Sequence, residues 1–84
     1  MENCQKFNYI LEEYISASEV KRAFGFKSQA MLTSMRRGQA NIATLHIEGL
    51  EKHFDISHKV FTPYIQSNEE IDYEIVRYRN EKKN

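Results

Sequence analysis

The chain has 84 residues, enough for one domain and one hydrophobic core, and a core of that size is marginal enough to welcome a second copy. Apolar residues make up 40% and charged residues 29%, an ordinary soluble balance, and no run approaches the roughly 18 consecutive apolar residues of a membrane span. Net charge is zero, which on its face argues against a polyanionic partner, but the charges are unevenly placed.

Residues 1–19 carry a net −3 and residues 48–76 a net −5. Between them, residues 20–47 hold Lys21, Arg22, Lys27, Arg36 and Arg37 with no acid, a net +5; residues 77–84 return +3. A basic block of this kind suits phosphate contact, and the plain alternative is a solvated face. The opening Met-Glu-Asn-Cys-Gln-Lys has an acid and no apolar run, so no signal peptide is expected. Cys4 is the single cysteine, and the expected location is the cytoplasm.

In chain order, Phe7, Ile10, Leu11, Tyr14 and Ile15 form one apolar stripe and predict a helix over 5–15. Ser16 and Glu19 have the spacing of a capping box, predicting a second helix with Val20, Ala23 and Phe24, ended by Gly25. Ser28 is the expected N-cap of a third helix, about 29–37, with Leu32 and Met35 inward, Met31 beside them and Gly38 as its stop. Thr44 would cap a fourth helix through Phe54, with Ile47, Leu50 and Phe54 inward and Gly49 weakening it. Thr62-Pro63 reads as a cap and N1 proline, with Val60, Phe61, Tyr64 and Ile65 closing the core. A final helix is expected over 69–81, with Glu69, Glu70 and Asp72 near its N-terminus and Lys82 and Lys83 at its end. The fold class is therefore all-α, a five-helix bundle.

Two short helices joined by a glycine turn, the second with polar residues outward, make a helix-turn-helix. The span from Ser18 through Gly25 and Gln29 to Gly38, followed by Asn41-Ile42-Ala43-Thr44, Leu50 and Phe54-Asp55-Ile56-Ser57, resembles the Cro/phage-repressor (XRE-type) helix-turn-helix family over roughly residues 7–62. Gly25, Leu32, Met35 and Gly38 match its turn glycine, two recognition-helix core positions and post-helix glycine. The resemblance implies a lambda-repressor-like domain over 1–66, sequence-specific binding of double-stranded DNA, and repression by operator occupancy rather than catalysis. Gln29, Ala30, Thr33 and Ser34 fall on base-facing positions; Lys27, Ser28, Arg36, Arg37, Gln39 and Asn41 fall at or near phosphate-gripping ones.

Three departures accompany the likeness. The turn from Gly25 to Leu32 is one residue longer than the family's, Lys21 stands where it places a small residue, and Arg36 replaces its usual acid. Either Ala23 takes over the packing role of that small residue, or the second helix meets the third differently. The alternative function is a protein-interaction module on the same fold: antitoxin-like, an anti-repressor or an inhibitor.

Residues 67–84 read as a separate C-terminal helix and tail, with Ile71, Ile75 and Tyr78 as an apolar stripe for a homodimer. The other course for that stripe is to fold back onto helix 1. His46, His53 and His58 lack metal-ligand spacing, Cys4 has no activating neighbours, and no glycine-rich phosphate loop is present. No metal, cofactor or enzymatic activity is expected.

Overall fold

A computed structural model describes residues 1–83. Five α-helices and a 3-10 turn follow in order: α1 Asn3–Glu13, α2 Ala17–Phe24, α3 Ala30–Arg36, α4 Thr44–Phe54, the turn His58–Phe61, and α5 Asn68–Lys82. The radius of gyration, 12.2 Å, matches the roughly 12 Å of a compact chain this long. No helix among the described residues is long and apolar enough to cross a membrane.

Local chemistry sets the boundaries. The α1 helix begins two residues earlier than its apolar stripe suggests, because Gln5 Oε1 accepts from the Glu2 N–H at 2.7 Å and the Glu2 carbonyl already accepts from Lys6 N–H. It stops at Glu13 because Ser16 must leave helical geometry to cap α2: its Oγ accepts from Glu19 N–H at 3.1 Å, and Glu19 Oε1 reaches back to Ser16. Gly25 ends α2 at φ 72°, where Gly25 N–H and Phe26 N–H satisfy the Arg22 and Lys21 carbonyls. For α4 the cap is Ala43 rather than Thr44, and His46 Nδ1 accepts from Ala43 N–H at 3.3 Å. Thr62-Pro63 does not open a helix. It forms a turn in which Ile65 N–H reaches the Thr62 carbonyl, and Tyr64 is exposed rather than in the core.

The core takes Phe7, Ile10 and Ile15 from the first segment, Val20 from α2, Leu32 and Met35 from α3, and Leu50 from α4. Ile56 and Val60 close it from below, and Ile71 and Ile75 of α5 complete it. Those two isoleucines correct the expected dimer stripe: both are fully buried within the chain itself, and Tyr78 is half-buried beside them. A C-terminal helix that supplies core side chains is an integral part of the domain, not an appendage after residue 66.

Polar clamps hold α5 in place. Asp72 accepts from the hydroxyls of Tyr9 and Tyr14 on the first segment, at 2.9 and 2.5 Å. Arg79 donates to the Phe54 carbonyl at 2.9 Å and lies 5.5 Å over the Tyr14 ring. Lys6 is buried on α1 and its ammonium donates to the carbonyls of Val60 and Thr62, both at 2.9 Å. Desolvation pushes its pKa down, opposed by the nearby Glu70.

Candidate nucleic-acid interface

The segment from Gly25 to Asn41 decides what α3 presents. After Gly25 the chain reverses, and Phe26 folds back against Phe24 and His46, at ring separations of 5.6 and 6.0 Å. That contact leaves Lys27 and Ser28 exposed ahead of α3. Ser28 Oγ accepts from Ala30 N–H at 3.3 Å, so its hydroxyl steadies the helix entry while Gln29 takes the cap position. The helix is accordingly shorter by a residue at each end than its sequence pattern suggests.

Leu32 and Met35 anchor one side of α3 in the core. Gln29, Ala30 and Thr33 are exposed together on the other side, as a reading face requires. Ser34 is only half-exposed, and its carbonyl accepts from Gln39 and Ala40 N–H. That backbone carbonyl helps to fold the following loop back. Met31 is 46% exposed. At 3.6 residues per turn position 31 flanks Met35, so Met31 lies at the edge of the buried side with much of its surface open to solvent.

The flanking residues divide into free and engaged groups. Arg36 is engaged: its Nε donates to Asn8 Oδ1 at 2.8 Å, and Asn8 Nδ2 donates to the Arg36 carbonyl at 2.9 Å. This reciprocal pair fastens the end of α3 to α1. Gly38 follows at φ 76°, and a Cβ there would lie 3.3 Å from Cys4 Sγ, so the loop also closes tightly on α1. Lys27, Arg37, Gln39 and Asn41 are exposed. Among the described residues the ion pairs are Glu51–His58, Glu74–Arg77, Glu81–Arg77 and Asp55–Lys82. None involves a cation of residues 20–47. Glu51, Asp55, Glu74 and Glu81 have partners there, and the positive charge around α3 is left for solvent or a ligand.

The two helices of the motif find their principal neighbours elsewhere: α3 packs on α1 and α2 packs on α4. Ala23, with Phe24, Phe26 and Leu45, lines a groove of about 410 Å³ between α2 and α4. The histidines are spread through structural roles: His46 stacks on Phe24 at 5.7 Å, His53 lies against Phe54, and His58 Nδ1 sits 3.1 Å from Glu51 Oε2. No group of three or more metal-ligating side chains occurs among the described residues.

No family model, curated protein or solved structure matches the chain.

Proposed function

We propose that the protein binds duplex DNA through α3 and its flanking loops and regulates transcription by occupying an operator, with no catalytic step. One observation carries this reading. The outward face of α3 combines Gln29, Ala30 and Thr33, all exposed, with Lys27 and Arg37 at its two ends and no carboxylate paired to either cation. A glutamine can bond adenine in a bidentate manner, alanine and the threonine methyl can pack on the thymine methyl, and the flanking cations suit phosphates. Arg36 contributes less than its position suggests, because Asn8 holds its Nε.

Random-sequence selection at about 0.1 M salt, followed by binding of Gln29→Ala and Arg37→Ala variants, tests this. Gln29→Ala is expected to cost roughly 1–3 kcal/mol on the best site and to relax sequence preference there. Arg37→Ala is expected to weaken specific and random DNA equally and to flatten the salt dependence by about one phosphate contact. Identical behaviour of both variants on both DNAs would remove α3 as the reading helix.

A second reading has its own observation. Leu45 is 75% exposed at the rim of the aromatic groove between α2 and α4, a surface better suited to an apolar side chain of a protein than to phosphate. An absence of enriched DNA from a folded protein would favour that protein-binding role.

A further inference from the structure

The α5 helix is apolar on two opposite sides. Ile71 and Ile75 point into the core, and the side away from them carries Tyr73, 72% exposed, and Val76, 54% exposed. Extending that outer side in steps of four and three residues gives Glu69, Tyr73, Val76, Asn80 and Lys83, every one exposed. At 3.6 residues per turn these five fall within about a quarter of the helix circumference, so they form a straight strip. The strip is acidic at its N-terminal end, apolar in the middle and basic at its C-terminal end.

We infer that this strip docks on the same strip of a second copy, with the two α5 helices antiparallel about a two-fold axis at Val76. Such pairing is self-complementary, as a two-fold interface must be. It sets Glu69 of each copy opposite Lys83 of the other and stacks Val76 on Val76, so each unlike-charge pair occurs twice. A parallel pairing would place Glu69 against Glu69 and Lys83 against Lys83, which like-charge repulsion disfavours. The surface relief agrees. A shallow hollow of about 340 Å³ is lined by Tyr73, Val76, Arg77, Asn80 and Glu81. In the antiparallel arrangement the second copy's tyrosine ring arrives at the level of residue 79, beside Asn80 and over that hollow. Arg77 does not oppose the approach, because Glu74 and Glu81 of its own helix already neutralise it. The expected dimer stripe of Ile71, Ile75 and Tyr78 is thus replaced by the opposite side of the same helix.

Sedimentation equilibrium of the full chain, with circular dichroism to confirm folding, tests the inference without DNA. The wild-type chain is expected to associate to a dimer. Val76→Glu brings two carboxylates together on the axis and is expected to raise the dissociation constant about tenfold or more. Glu69→Lys and Lys83→Glu are each expected to weaken the dimer, and the double swap to restore it, because the antiparallel pairs are then merely reversed. A full chain that stays monomeric, a Val76→Glu chain that still dimerises, or a double swap weaker than both single variants would each overturn the proposal. The second of these would move the interface to another surface, such as the groove between α2 and α4.

Discussion

Gly49 occupies the sixth position of the eleven-residue helix α4, where alanine would ordinarily stabilise by about 1 kcal/mol. A Cβ at this position would lie 2.6 Å from Phe24 Cε1, closer than carbon atoms pack, and 3.2 Å from its Cζ, so the ring would have to shift. The glycine therefore lets α2 bring Phe24 against α4, where the ring also meets Phe26 and His46. Overpacking typically costs about 1–3 kcal/mol, so Gly49→Ala is expected to be neutral to destabilising despite its better propensity. In a Phe24→Ala background the same change should become stabilising by about 1 kcal/mol. Urea denaturation of the four chains in a double-mutant cycle checks this; a Gly49→Ala effect of the same sign in both backgrounds would refute the close approach. Sequence alone shows the helical cost of Gly49 but not the ring it accommodates, which comes from another helix. Lys6 was hidden for the same reason. Its burial is dictated by carbonyls 54 and 56 residues away rather than by the apolar spacing around it.

Helix ends whose signals lie within four residues were legible: Ser16 with Glu19 starts α2, and Gly25 and Gly38 close α2 and the loop after α3. The polar face of α3 was legible too, because Leu32 and Met35 fix which side is inward. The destination of α5 was not. An apolar stripe at Ile71, Ile75 and Tyr78 announces that something must cover it, yet its own domain and a second copy are equally apolar covers. What decides is polar and non-local: the carboxylate of Asp72 meets Tyr9 and Tyr14. The Asp72 bond, with burial and charge adding to it, pushes the Tyr9 hydroxyl above its ordinary 10.0. For Tyr14 burial comes first and Asp72 second, in the same direction. A raised folded pKa means the native state keeps protons that the unfolded tyrosines release. The resulting stability is fully present below about pH 10 and is lost as pH rises beyond it. Denaturation midpoints are therefore expected to hold up to about pH 10 and to fall as pH rises further. Asp72→Asn, which removes the negative charge, should shallow that fall; an unchanged alkaline slope would show that the clamp does not couple α1 to α5.

At the scale of the whole molecule, the basic block could be read from the chain, but its availability could not. That depends on where the acids after residue 47 find partners, and Asp55, Glu74 and Glu81 find theirs on α5. The same helix thus keeps acid charge occupied away from α3 while completing the core. This gives α5 a part in the proposed DNA function without its touching DNA. Removing it, by ending the chain at Gln66, would strip two fully buried isoleucines worth roughly 1.5–3 kcal/mol each and uncover the sides of α1 and the 3-10 turn on which α5 packs. It would also delete the Asp72 and Arg79 clamps. A domain this size holds only about 4–13 kcal/mol in total, so the shortened chain is expected to lose cooperative unfolding and its dispersed amide spectrum. Specific DNA binding should vanish with them, because α3 depends on α1 and α1 on α5 for position. A residue 1–66 chain that unfolds cooperatively near the full chain's Tm would instead make α5 an accessory element and restore the boundary after residue 66. Ile75→Ala in the full chain separates core from interface: it should cost about 2–5 kcal/mol of stability, whereas a change on the outer strip at Val76 should cost little.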